Sequence, residues 1–125
     1  MRYLIFLLGL LPLLTWAIEP TSRDPDAQWA YKTIDGKEFL MDVFLPAGYQ
    51  DAEVSYPVMV IFHGGSWTGG ETKWHWPDGN FWAKRGMIAV SVDYRLRHRD
   101  QVEVPLECVK DAKSAIRYLR ANAKK

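Results

Sequence analysis

The stretch Val58-Met59-Val60-Ile61-Phe62-His63-Gly64-Gly65-Ser66-Trp67 decides the fold. Five apolar residues, Val58 to Phe62, run without interruption and stop at a histidine and two glycines. A short apolar run with β-branched members, ended by glycines, predicts a strand buried on both faces. Strands of that kind belong to parallel sheets covered by helices. Glycine has no Cβ, so Gly64 and Gly65 let the chain turn sharply and bring bare N–H groups against a ligand. Open parallel sheets bind ligands at the carboxyl ends of their strands. The bend therefore lies where chemistry is expected.

Upstream, Glu19 to Gln28 is rich in Pro, Asp, Ser and Thr and reads as an irregular lead-in. Trp29, Tyr31 and Thr33 then alternate with Ala30, Lys32 and Ile34, the period of a strand. After Asp35-Gly36, the run Glu38 to Leu45 places Phe39, Met41 and Val43 on one face. Asp-Gly between alternating runs predicts a hairpin, because a type I′ turn needs positive φ at both of its central positions. Pro46-Ala47-Gly48-Tyr49 ends the second strand.

Downstream, Thr68 to Gly79 reads as loop, with its glycines, Pro77, Trp74 and Trp76. Asn80 to Arg85 predicts a short helix, with Asp78 or Asn80 as its N-cap and Gly86 as its stop. Met87 to Val92 is a second buried strand, ending in Asp93-Tyr94-Arg95. Arg95 to Glu103 is strongly charged and is expected to be solvated. Pro105 suits the first position of a final helix. Leu106, Val109, Ala112, Ile116, Leu119 and Ala123 recur at spacings of three and four and predict its buried stripe. Glu107, Lys110, Asp111, Lys113, Arg117 and Arg120 are assigned to a solvated face. The order hairpin, strand, helix, strand, helix implies a parallel crossover, and the fold class is α/β.

Composition sets the remaining bounds. With 125 residues and a formal charge of +1, the chain allows one domain and has no basic stripe for nucleic acid. Arg2 precedes an apolar run from Leu4 to Leu14, and Thr15-Trp16-Ala17 offers small residues at the cleavage-determining positions. Residues 1–17 are read as a signal peptide cut after Ala17, and the chain as exported, periplasmic or secreted. The apolar run falls short of the roughly 20 residues that span a bilayer. Residues 18–125 are left for the domain. Cys108 is the one cysteine and reads as a small buried residue.

His63-Gly64-Gly65-Ser66-Trp67 resembles the HGG(G) oxyanion-loop motif of lipases and esterases with the α/β-hydrolase fold. The strand Val90-Ser91-Val92-Asp93-Tyr94-Arg95-Leu96 and the helix Asp111-Ala112-Lys113-Ser114-Ala115-Ile116-Arg117-Tyr118-Leu119 are similar to later stretches of the same family. The likeness runs from about Trp29 to the C-terminus and points to the branch with carboxylesterases and acetyl xylan or feruloyl esterases. It implies the N-terminal part of a hydrolase sheet, in which Gly65 and Ser66 supply backbone N–H groups to an oxyanion hole. His63, Gly64 and Trp67 would support that loop. The strand after the last helix would pair with Val58 to Phe62 and deliver the serine of G-x-S-x-G, followed by the acid and the histidine. No G-x-S-x-G occurs here; Gly64-Gly65-Ser66-Trp67-Thr68 has threonine where the last glycine is required. The expectation is a carboxylic-ester hydrolase represented by an N-terminal portion, without catalytic residues and inactive alone. Completed, it would take a small-molecule or polysaccharide ester and need no cofactor or metal. The alternative is a non-catalytic carbohydrate- or partner-binding remnant.

Other constellations in the sequence have less in their favour. In the family the histidine of HGG orients the loop, so His63 is assigned to positioning and not to general-base work. Ser66 matters for its amide more than its hydroxyl. Asp93 with Arg95 is expected to fix a turn. A triad of Ser66 or Ser91 with His63, His75 or His98 and Asp93 has no spacing in its favour. His75, His98, Asp78 and Asp93 lack metal-ligand spacing. Trp67, Trp74, Trp76 and Trp82 either pack the loop against the domain or stack on sugar rings.

Overall fold

Ile88–Val92 is buried at each of its five positions, and the sheet is built outward from it. The computed structural model describes residues 23–50 and 54–123; the expected signal peptide lies outside them. The elements are β1 (Ala27–Ile34), β2 (Lys37–Phe44), β3 (Val58–Phe62), a 3-10 turn (Thr72–His75) running into α1 (Trp76–Ala83), β4 (Ile88–Val92), α2 (Arg97–Asp100) and α3 (Leu106–Asn122). The four strands lie in the order β1-β2-β4-β3. β1 and β2 form an antiparallel hairpin, β2 runs antiparallel to β4, and β3 runs parallel to β4 with Val58 opposite Ile88 and Phe62 opposite Val92. The fold is α/β, as the order of elements required.

Periodicity reads both apolar runs as strands buried on both faces, and one of them is not. β4 is the strand buried on both faces, whereas β3 is an edge strand with Val58 42% and Phe62 37% exposed. Among the described residues the outer edge of β3 pairs with no strand. β3 is the more apolar run, since β4 contains Ser91, so it is neighbours on both sides and not composition that make β4 the central strand.

Side chains alternate across β2, so its two faces feed two cores. Phe39, Met41 and Val43 face Tyr31, Val90, Val92 and Ala115, with Tyr118 and Leu119 of α3 packed against them. Phe44 faces Ala83 and Ala89, with Met59, Trp76 and Trp82 closing the other side. Hence α3 covers one face of the sheet and α1 the other. The hairpin turns at Asp35 (φ 50°) and Gly36 (φ 79°), as a type I′ turn demands. A bulge between Ala30 and Lys32 breaks the alternation read for β1. Beyond it Thr33 is exposed and Ile34 packs on the core, the reverse of strict period two.

Helix α1 begins at Trp76, four residues before the expected start, with Pro77 in its first turn and no side-chain cap. Asn80 is not a cap but a buried interior residue, whose amide donates to the carbonyls of Arg23 and Trp76. Gly79 looked like a loop residue and is instead a packing device. A Cβ there would sit 2.4 Å from the Phe44 ring. Gly86, at φ 82°, ends the helix as expected.

The last helix is rotated from the stripe drawn by spacing. Its buried residues are Cys108, Asp111 and Ala115, while Leu106 and Val109 are 56% and 44% exposed. The cause is an ionic cluster that periodicity treats as surface. The Asp111 carboxylate is wholly buried and accepts from Lys32 Nζ (2.6 Å), from Arg95 Nε and Nη2 (2.8 Å each) and from the Arg95 backbone N–H (3.0 Å). Arg95 also meets Glu107 at 2.7 Å. The stretch Arg95 to Glu103 is therefore not simply solvated. Leu96 is buried, and Asp100 accepts from Lys37, Arg99 and the Leu96 N–H.

Burial pushes the Asp111 carboxyl up, but hydrogen bonds from Arg95 and Lys32 outweigh it and hold the pKa below the ordinary aspartate range. A depressed native pKa contributes stability that is present above the unfolded value, about 3.9, and lost as pH falls below it. Asp111→Asn should destabilise the chain by about 3 kcal/mol at pH 7, since it removes the buried charge that half-buried Lys32 and Arg95 share and leaves Arg95 only Glu107. Urea unfolding at pH 7 and near pH 3 should show that gap narrowing in acid; an equal gap at both would contradict the ionic account.

Candidate active site

The chain leaves β3 at Phe62 and enters a bend whose backbone is wound the unusual way. Gly65, Ser66 and Trp67 have φ of 115°, 53° and 61°, and Gly70 has 114°. Left-handed values suit glycine and disfavour a bulky side chain such as Trp67. The bend closes on the Gly65 carbonyl, which accepts from Thr68 N (3.0 Å), Gly69 N (3.3 Å) and Thr68 Oγ1 (3.0 Å). A Cβ on Gly65 would lie 2.2 Å from the Gly69 oxygen, so only glycine fits.

His63 is the post around which the bend is set. It is 3% exposed, and its Nδ1 lies 2.8 Å from the Gly64 carbonyl. A carbonyl only accepts, so Nδ1 carries a proton. Nε2 is buried and has no partner among the described residues. The Tyr94 ring stacks on the imidazole, with centroids 4.3 Å apart and planes 14° from parallel, and the Tyr94 hydroxyl donates to the His63 carbonyl at 2.5 Å. Trp74 meets the imidazole edge-on at 6.3 Å. A Cβ on Gly70 would approach His63 Nδ1 to 2.2 Å and the Gly64 oxygen to 2.5 Å.

These contacts aim the two amides. A trans peptide directs its C=O and N–H to opposite sides. The Gly64 oxygen is turned to the imidazole, so the Gly65 N–H of the same peptide points away from it. The Gly65 oxygen is held inside the bend, so the Ser66 N–H points out of it. Neither N–H donates to an acceptor among the described residues. Two adjacent donors thus stand unspent at the carboxyl end of a parallel strand.

The alternative constellations are not assembled. Ser91 is buried and donates to the Thr72 carbonyl at 3.0 Å. His75 pairs with Asp78 at 2.7 Å. Asp93 pairs at 2.9 Å with Arg99 and not with Arg95, because Asp111 holds Arg95. The four tryptophans divide: Trp76 and Trp82 pack on the core, Trp76 donating to Asp42 at 2.8 Å, whereas Trp67 and Trp74 are 45% and 56% exposed. Tyr94 and Gly70 are the site residues that sequence reasoning did not single out. Nothing in spacing separates a tyrosine after a buried strand from an ordinary core aromatic, or Gly70 from other loop glycines.

Comparison with known proteins gives a consistent family. The profile of the BD-FAE family, an α/β-hydrolase esterase family, matches residues 41–125. Among solved structures, esterase 2 of the planctomycete Thermogutta terrifontis with bound propionate superposes with a TM-score of 0.75 at 34% identity, over 84% of this chain and 36% of that one. The same enzyme phosphonylated by cyclosarin gives 0.74 at 36% identity, over 78% and 36%. The neuroligin-like protein glit-1 of Caenorhabditis elegans is 38% identical over 63 residues, which is 50% of this chain and 8% of that protein. The non-reducing polyketide synthase atr1 of Stereocaulon alpinum is 34% identical over 89 residues, 70% of this chain and 4% of that protein. The chain thus spans little more than a third of the solved esterases and a small part of the other two.

The packing around His63 can be tested directly. Tyr94→Phe keeps the stack but leaves a buried carbonyl without its donor and should lower stability by about 1 to 3 kcal/mol. Gly70→Ala should lower it further, because it adds a steric clash to an unfavourable φ. Denaturant midpoints give both values, and ring nitrogen shifts should report the proton on His63 Nδ1. A Gly70→Ala variant as stable as the parent would refute the close approach.

Proposed function

The chain belongs to the BD-FAE family of α/β-hydrolase esterases, and on that premise we propose that it supplies the oxyanion-binding half of a serine carboxylic-ester hydrolase. The observation that carries this is the pair of unspent amides on Gly65 and Ser66, aimed out of the bend by the His63 and Thr68 contacts. Attack on an ester builds negative charge on the carbonyl oxygen, and donors already oriented toward that oxygen lower the barrier. His63 and Gly64 hold the loop's shape, and Trp67 continues it. The nucleophile, acid and histidine then come from a G-x-S-x-G segment and later elements, which these 125 residues do not contain. Alone, the chain turns over no ester.

The bare edge of β3 fits this reading, since a strand paired there brings its carboxyl end, and a serine on it, beside Gly65. The Thermogutta terrifontis esterase has been seen with propionate and with butyrate, which favours short acyl groups for this chain as well. Export through residues 1–17 places the substrate outside the cytoplasm, as a small-molecule or polysaccharide ester. A second reading, a carbohydrate-binding role without catalysis, draws on the exposed indoles of Trp67 and Trp74.

Two measurements separate these readings. Purified chain should hydrolyse p-nitrophenyl acetate no faster than buffer; turnover above background that Gly65→Pro abolishes would refute the division of labour. Joined to the C-terminal part of the Thermogutta terrifontis enzyme, the chain should regain turnover, and Gly65→Pro in that chimera should reduce kcat by about 100- to 1,000-fold. A folded, active chimera indifferent to Gly65→Pro would remove the oxyanion role.

A further inference from the structure

None of the five residues of β3 is buried, and its outer side pairs with no strand among the described residues. Which backbone groups lie bare there follows from the pairing on the inner side. The Pro57 carbonyl accepts from the Ile88 N–H at 3.0 Å, so the backbone of residue 57 turns toward β4. A strand directs the N–H and C=O of successive residues to alternate sides. Met59 and Ile61 therefore turn theirs to β4, and Val58, Val60 and Phe62 point theirs outward. The same three residues set their side chains on one face of the sheet. Val60 packs there against the core that includes Ala115 of α3, while Val58 and Phe62 stand 42% and 37% exposed.

This edge is complementary to itself. A second β3, run antiparallel about a two-fold axis at Val60, sets Val60 opposite Val60 and Val58 opposite Phe62. All three residues point outward, so these are the hydrogen-bonded pairs of an antiparallel ladder, and each bare N–H meets a carbonyl of the other copy. Each exposed Val58 then lies beside an exposed Phe62 of the second copy on the same face, an aliphatic–aromatic cross-strand pair. A register one residue away would set outward groups against inward ones and lose the ladder. No charge, proline or bulge in β3 opposes the approach. The far edge, β1, is interrupted by its bulge, so pairing does not extend from there and the assembly closes at two copies.

We infer that β3 is a self-pairing edge: two copies of this chain join through antiparallel β3 strands, in register about Val60, and merge their four-stranded sheets into one. A five-residue edge is a small contact beside the roughly 1,200 Å² of a standard interface, so the dimer is weak and depends on concentration. The pairing does not rest on the ester-hydrolase reading. It occupies the edge to which that reading assigns a further strand, so the two states exclude each other, and either can fail without the other.

Sedimentation equilibrium of the full chain from about 5 to about 500 μM tests this. The weight-average mass should rise from that of a monomer and level off at twice that value. Val58→Lys puts a charge on the edge, as natural edge strands do, and should raise the dimer dissociation constant at least about tenfold with circular dichroism unchanged. Hydrogen exchange reads the register. The amides of Val58, Val60 and Phe62 should slow as concentration rises, while those of Met59 and Ile61, already turned to β4, should hardly change. A mass that stays monomeric or climbs past the dimer, or a folded Val58→Lys variant that dimerises as tightly as the parent, would overturn the proposal. Should Val58→Lys not fold, the exchange pattern of the parent chain decides, and protection of the three outward amides that ignores concentration counts against self-pairing.

Discussion

Taking a carboxylate wholly out of water is tolerable only when several donors surround it, and the Asp111 carboxylate, with its four hydrogen bonds, meets that condition. The donors come from two places far apart in sequence, β1 through Lys32 and the exit of β4 through Arg95, and the acceptor from a third, α3. The cluster therefore sets how α3 lies on the sheet. It also holds the backbone of Arg95, and the residue before Arg95 is Tyr94. From there the path to the site is short: Tyr94 stacks on His63, His63 turns the Gly64 peptide, and that peptide carries the Gly65 N–H.

The arrangement explains why a charged segment lies so close to the bend. Arg95, Arg99, Asp93, Asp100 and Glu107 pair among themselves and with Lys37, Lys110 and Asp111. Each exposed pair is worth little by itself, but the buried ones fix the geometry where β4 ends. Backbone amides aimed out of a bend need such support to keep their direction. Here the support is aromatic stacking and buried hydrogen bonds on one side, and on the other glycines at positions where a Cβ would collide with backbone.

The edge of β3 and the exposed Leu106 and Val109 give the molecule an asymmetric finish. One side of the sheet is closed by a hairpin, whose outer strand β1 carries Lys32 and a bulge. The other is a run of apolar residues without charge, proline or bulge, the devices that keep edge strands from pairing. An edge of this kind invites pairing with another strand.

Much of this protein was legible from residue order. The Asp35-Gly36 turn, the inward set Phe39, Met41 and Val43, the two apolar strands, the stop at Gly86 and the glycine-rich bend all follow from rules acting over a few residues: which φ a residue tolerates and which face it presents. The family resemblance named Gly65 and Ser66 because a motif is itself local. Tertiary contacts decided the rest. Which apolar run lies in the middle of the sheet depends on neighbours, which periodicity does not supply. The face that α3 buries depends on Lys32 and Arg95 reaching Asp111, and a rule that counts every charge as surface turns the helix the wrong way. The start of α1 was hidden because Gly79, a helix breaker by propensity, is required there by the Phe44 ring. Tyr94 and Gly70 became site residues only when folding brought the end of β4 and the loop after Trp67 against one imidazole.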